Sequence, residues 1–421
     1  MNPAAYCNDN NSRSVSIPLF YENSSGETFD YRYKFFPTVK PEATTVILLP
    51  GGPGGTLLNH LPSEPFSDTA IPAAHFNVIY IDPRGTGCNS PLVGNFPDDS
   101  LNSIQLAKDV LTIISSLNLK NYIIAGKSYG TVVATIAGNL ITKSDLHPPK
   151  AIVLEGTFGM GWDSGYTEFF KTATQDWERV KSLLDKSISE KFNSEILPLG
   201  FNAETWGIFI LNGLITGEYP GKGHILVSQL SPLIAGSSDD LEKLRERLTQ
   251  IAAGDTSSLS QIFRVIGCRE LFKSWGIPVI KNGSLVPSPK NFCDNEIYKG
   301  YNSRDWQLTA PIYYFQGPHD PATPLASAKY HFDNQTSAKR YFILTSGAAH
   351  NSLTASLKVL GCSQNIWYAI DRDPKVLQSA IDSCRWDIEL NIQPPDRRPH
   401  DNRNHRGLGF HYHPAKNPTQ L

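Results

Sequence analysis

The sequence is short of several features, and each shortage narrows the field. No apolar stretch among the 421 residues is long enough to span a membrane. No basic tract with interleaved aromatics occurs, and 38 basic side chains against 40 acidic ones leave a net charge of −2, so nucleic-acid binding has no support. None of the cysteines (Cys7, Cys88, Cys268, Cys293, Cys362, Cys384) stands in a C-x-x-C pair, so no zinc, other metal or redox motif is expected. The opening MNPAAYCNDNNSRS has no hydrophobic segment; it does not read as a secretory signal, and a cytoplasmic location is the default. The even cysteine count and the spacing of Cys268 with Cys293 and Cys362 with Cys384 would equally suit disulfides in a secreted or periplasmic mature form. Both readings stay open.

What is present is an ordinary globular composition, 40% hydrophobic and 19% charged. The length allows one large domain with a sizeable insertion, or two domains. Residues 14–21 and 28–36 read as an antiparallel pair around a turn at 23–27. Thr45–Leu49 and Phe76–Ile81 are continuous apolar runs, the mark of strands buried on both faces. Ser103–Leu117 has apolar residues at helical spacing, with Ser103 as N-cap. Ala151–Leu154 is a further buried strand, ending at Glu155-Gly156. From 158 to 305 helical patterns dominate, including Trp177–Ile188 and Ser238–Ala252, and this reads as an inserted, mostly helical cap. Strand and helix then alternate again: Ala310–Gly317, a helix over Leu325–Phe332, and Lys339–Leu344 as the last strand, with helical material to about Leu390. The tail, with His405, His411 and His413, is polar and reads as disordered. The organisation expected is therefore a core in two parts, 14–157 and 306–390, a cap over 158–305 and a tail over 391–421. Alternating strands and helices imply a mainly parallel sheet, an α/β fold with its site at the carboxyl ends of the strands.

The chemistry centres on Gly126-Lys127-Ser128-Tyr129-Gly130, which follows the β-branched run Ile123-Ile124 and precedes a small-residue apolar segment. Strand, sharp turn and helix around G-x-S-x-G form a nucleophile elbow. Glycine is needed on both flanks because a Cβ there would strike the neighbouring strand and helix. The elbow lifts the Ser128 hydroxyl clear of the sheet and turns the Tyr129 N–H toward an oxyanion. The strand over 45–49 ends in Pro50-Gly51-Gly52-Pro53-Gly54-Gly55, a loop whose exposed backbone, Gly52 above all, can supply a second donor. The catalytic order serine, acid, histidine is met by Ser128, Asp320 and His350, each at the end of an expected strand. Ser128 would attack a carbonyl, His350 would move its proton, and Asp320 would hold the imidazole tautomer. The rivals are His319, placed before the acid, and Asp333, placed after a helix. Asp82 and Arg84 in the loop after Ile81 are expected to brace that turn by a salt bridge.

Taken together, Gly51-Gly52-Pro53-Gly54-Gly55, Asp82-Pro83-Arg84-Gly85-Thr86-Gly87, the Ser128 elbow, Asp320-Pro321-Ala322-Thr323-Pro324 and the His350 segment resemble the proline iminopeptidase and tripeptidyl aminopeptidase family of serine peptidases. The resemblance covers about 15–157 and 305–360, with Pro50 where that family usually has histidine. It implies an α/β-hydrolase fold with a helical cap, removal of residues from peptide N-termini, and no metal or cofactor. A free α-ammonium needs a carboxylate partner. Acidic cap residues serve this in the family, which makes Glu270 and Glu155 the candidates, with a structural ion pair to Arg264 or Arg269 as the alternative. Two other functions share these residues: an esterase or amidase on small acyl substrates, and a non-catalytic binding protein. The expected partner is a peptide or small acyl substrate, with no membrane and no nucleic acid.

Overall fold

The structure is a computed structural model, described over residues 7–22, 26–38, 40, 42–55, 71–72, 74–90, 96–162, 167–194, 197–219, 223–235, 237–253, 261–384 and 387–396. The expected turn at 23–27 and the histidines of the tail lie partly or wholly outside these residues.

The core is a sheet of nine strands. In chain order they are β1 (Ser12–Pro18), β2 (Thr28–Phe36), β3 (Thr44–Leu49), β4 (Phe76–Ile81), β5 (Tyr122–Lys127), β6 (Ala151–Glu155), β7 (Ile312–Gln316), β8 (Arg340–Thr345) and β9 (Ile388–Gln393). Their spatial order is β1-β2-β4-β3-β5-β6-β7-β8-β9. The six central strands, β4 through β8 in that order, pair in parallel. The edges are antiparallel: β1 and β2 on one side, β9 on the other. The apolar runs are explained by burial on both faces. Ile47, Ile124, Ile152 and Tyr314 pack on one side with the helices α1 (Ser103–Ser116) and α2 (Tyr129–Ile141). Their strand neighbours Val46, Ile123, Val153 and Tyr313 pack on the other side with Trp367 and Ile370.

Three local expectations need correction. The N-cap of α1 is Asn102, whose side chain accepts from the Gln105 N–H at 2.9 Å, and Ser103 is the first helical residue. The helix read over 177–188 is two helices, α3 (Thr167–Leu183) and α4 (Lys186–Asn193), broken where Asp185 caps the second. Lys339–Leu344 does not lie on the last strand, because β9 follows and pairs with β8 where helical material was expected. The alternation Ile388, Leu390, Ile392 was too short and too exposed to stand out from a helical pattern. Among the described residues no helix is long and apolar enough to cross a membrane.

Between β6 and β7 the chain is mostly helical, with its own apolar cluster around Trp177, Trp206, Phe192 and Leu248. All six cysteines are paired: Cys7–Cys88, Cys268–Cys293 and Cys362–Cys384.

Candidate active site

The turn after β5 places Ser128 in a conformation that non-glycine residues rarely adopt, φ 53° and ψ −123°. Its flanking glycines are sterically required. A Cβ on Gly126 would lie 2.3 Å from the Gly130 carbonyl oxygen, and one on Gly130 would lie 2.4 Å from that of Leu49. The Ser128 N–H donates to the Glu155 carbonyl oxygen at 2.8 Å, which ties the elbow to the end of β6. Ser128 precedes α2, so the Tyr129 N–H stands at the helix N-terminus, where partial positive charge collects. The glycine loop after β3 comes against Ser128: a Cβ on Gly51 would sit 3.0 Å from the Ser128 Cβ. Gly52, at φ +120°, is left exposed in that loop.

Asp320 and His350 meet in the loops after β7 and β8. His350 Nδ1 is 2.9 Å from Asp320 Oδ2. The carboxylate is fully buried and surrounded by donors: the Ala322 and Thr323 N–H groups on Oδ1, both at 2.9 Å, with the Thr323 hydroxyl at 2.5 Å and the Gln316 amide at 3.1 Å on Oδ2. That shell satisfies the buried carboxylate oxygens and fixes their direction. The His350 ring lies over Gly156, where an added Cβ would come within 2.7 Å of Cε1 and Nδ1. Lys127 and Glu155 are register partners in β5 and β6, so the next residues, Ser128 and Gly156, are neighbours. Ser128, His350 and Asp320 are thus gathered at the carboxyl ends of β5 to β8.

The other expected site residues are placed differently. Glu155 is buried, and its Oε1 accepts from the Leu353 N–H at 2.8 Å, the Thr354 N–H at 2.9 Å and the Thr354 hydroxyl at 3.1 Å. It braces the turn that follows His350 and does not present itself to substrate. Glu270 is bound to Ser103, through the Ser103 N–H at 3.0 Å and through its hydroxyl. Arg264 and Arg269, its expected partners in the structural alternative, pair instead with Glu296, Asp98 and Asp99. Arg84 is braced by Asp109 of α1 rather than by Asp82, with Nε 2.8 Å from Asp109 Oδ2. His319 faces away from the base position: its Nδ1 is 3.0 Å from Asp176 Oδ1 of α3. Asp333 is exposed near the end of the helix Leu325–Asn334. Sequence reading passed over Gln316 and Thr323, which orient Asp320. The signal for Gln316 was a lone polar residue closing an apolar strand. Among the described residues no group of three or more His, Cys, Asp or Glu side chains is placed to hold a metal ion.

Residues 44–186 match a family model described as the alpha/beta hydrolase fold. This chain has that fold. No curated protein matches it significantly. Solved structures similar to this chain include a proline iminopeptidase from Mycobacterium smegmatis, 13% identical, with a TM-score of 0.43, covering 85% of this chain and 99% of that one. They also include an N-acyl homoserine lactone degrading enzyme, 14% identical, TM-score 0.38, covering 84% and 96%. A third is an esterase from Exiguobacterium antarcticum, 12% identical, TM-score 0.43, covering 85% and 99%. At these scores they carry no argument about substrate.

Proposed function

We propose that this chain, with its α/β-hydrolase fold, is a serine exopeptidase that removes residues from peptide N-termini. Ser128 attacks the scissile carbonyl carbon and its proton passes to His350. The oxyanion is held by the Tyr129 and Gly52 N–H groups. His350 then gives the proton to the leaving amine, and water hydrolyses the acyl-enzyme by the same route. Asp320 holds Nδ1–H and stabilises the imidazolium.

The observation that favours a peptidase over an esterase is Asp176. It reaches the acid loop from α3, is 6% exposed, and holds His319 with Oδ1, 3.0 Å away. Oδ1 also lies 3.6 Å from Arg179 Nε, while Oδ2 is buried and makes no hydrogen bond. A buried acceptor left unpaired costs about 1–3 kcal/mol, a cost that an ammonium bound beside the acid loop would remove. With Glu155 and Glu270 both engaged within the protein, Asp176 takes the role assigned to them from sequence. The three disulfides favour an oxidising compartment over the cytoplasm.

The test compares proline, alanine and tripeptide arylamides, with free and acetylated N-termini, beside p-nitrophenyl acetate. Arylamide turnover that needs the free amine, vanishes in Ser128→Ala and shows a KM raised about thirtyfold in Asp176→Asn, the equivalent of about 2 kcal/mol, supports the reading. Ester turnover alone moves the assignment to an esterase. Absence of any turnover dependent on Ser128 leaves a binding protein.

A further inference from the structure

Tyr129 contributes more than a backbone N–H. Its ring is wholly buried and lines a small cavity together with Leu49 and Pro50, the residues that deliver the Gly51-Gly52 loop. Its hydroxyl is 2.8 Å from Ser103 Oγ. Ser103 opens α1 and is itself 1% exposed. It donates its N–H to Glu270 Oε1 at 3.0 Å and its hydroxyl proton to Oε2. A serine hydroxyl has one proton. With that proton on the carboxylate, the Tyr129 hydroxyl must be the donor to Ser103 Oγ, so the chain of bonds runs from Tyr129 to Ser103 to Glu270.

Glu270 is a fixed post. Its carbonyl oxygen accepts the Tyr301 N–H at 2.7 Å, and a Cβ on Gly161 would press within 2.5 Å of that oxygen. The next residue toward the N-terminus, Arg269, pairs with Glu296 at 2.8 Å and Asp99 at 3.2 Å, and Cys268 is crosslinked to Cys293. The carboxylate also complements the positive end of α1. Burial pushes the Glu270 carboxyl pKa up, while the two Ser103 hydrogen bonds and the nearby Lys299 and Arg269 charges oppose that shift.

We propose that Glu270 is a positioning residue which, acting through Ser103, holds Tyr129 so that its N–H points at the developing oxyanion. The helical segment between β6 and β7 thereby sets the geometry of the oxyanion site without touching substrate. This rests on the reading of Ser128 as the nucleophile.

A fluorophosphonate tests it without knowledge of the natural substrate. Ser128 Oγ bonds to phosphorus, fluoride leaves, the serine proton goes to His350, and the phosphoryl oxygen takes the oxyanion position. Labelling is followed by intact mass. In Tyr129→Phe and in Glu270→Ala the limiting rate kinact falls about tenfold, less than the loss from deleting an oxyanion donor outright, while KI stays within about twofold. Glu270→Gln, which still accepts the Ser103 N–H, recovers to within about threefold of the wild type. The double variant is no slower than either single one, because both break the same chain. Tyr129→Phe labelling at the wild-type rate overturns the proposal, as does a loss that falls on KI, or additive losses in the double variant. A wild type whose Ser128 takes no label removes the nucleophile reading and this inference with it. Wild-type labelling with unaffected variants removes this inference alone.

Discussion

Gly156→Ala is the substitution that most directly probes the site. Gly156 follows β6, has φ +62°, and donates its N–H to the Phe315 carbonyl oxygen at 3.1 Å, so its backbone is held in the sheet. The added Cβ would stand 2.7 Å from both Cε1 and Nδ1 of His350 and 2.9 Å from Thr323 Oγ1. Ordinary contact begins near 3.4 Å, so the imidazole must retreat by about 0.7 Å, 3.4 less 2.7. Retreat strains the 2.9 Å bond from His350 to Asp320 and carries the base away from Ser128. A displacement approaching 1 Å costs up to about a hundredfold in rate, so the expected loss is about 10- to 100-fold. Part of any stability loss comes from alanine at positive φ, about 1–2 kcal/mol. Gly361→Ala separates the two effects: Gly361 has φ +75° and nothing within 4 Å of its added Cβ. Both variants are melted and labelled with the same fluorophosphonate. Both variants should lose stability through the positive φ, Gly156→Ala at least as much as Gly361→Ala because of its added contacts, with the rate loss confined to Gly156→Ala. Equal labelling rates in the two variants would refute the placement of His350 over Gly156.

Two further outcomes concern stability. His331 is buried between the Thr135 hydroxyl, 2.9 Å from Nε2, and the Tyr314 hydroxyl, 2.8 Å from Nδ1, and burial pulls its pKa down to about 3. Below about pH 6.5 the unfolded chain takes up a proton that the folded one refuses. Stability is therefore lost as pH falls toward 3, by about 1.4 kcal/mol per pH unit. Urea midpoints measured at descending pH should show a shallower slope in His331→Gln than in the wild type, and parallel slopes would contradict the burial argument. The Cys268–Cys293 disulfide spans a sequence separation of 25 residues. Replacing both cysteines with alanine should lower the unfolding free energy by about 3.5 kcal/mol on the chain-entropy account, read as a lower urea midpoint with a somewhat steeper denaturant dependence as the unfolded chain expands.

The sequence alone determined the α/β-hydrolase frame, because its signals are local. Strands buried on both faces carry continuous apolar runs, as at Val46–Leu49 within β3 and Tyr122–Ala125 within β5, and a strained serine turn must be flanked by glycine. The serine, acid and histidine order could be read for the same reason, each residue lying just past a recognisable strand. The roles of the remaining charged residues were not legible, because a carboxylate's role depends on which donors folding brings to it. Glu155 finds the Leu353 and Thr354 N–H groups, with a sequence separation of 198 residues to the first. Glu270 finds Ser103 at a separation of 167, and Asp176 finds His319 at 143. The edge strand Ile388–Gln393 escaped for a related reason: half-exposed, with short alternation, it is a strand because β8 offers it an unpaired edge. Tertiary structure alone decided which donors each of these acids meets, because desolvation and hydrogen-bond geometry belong to the folded neighbourhood and not to the residue.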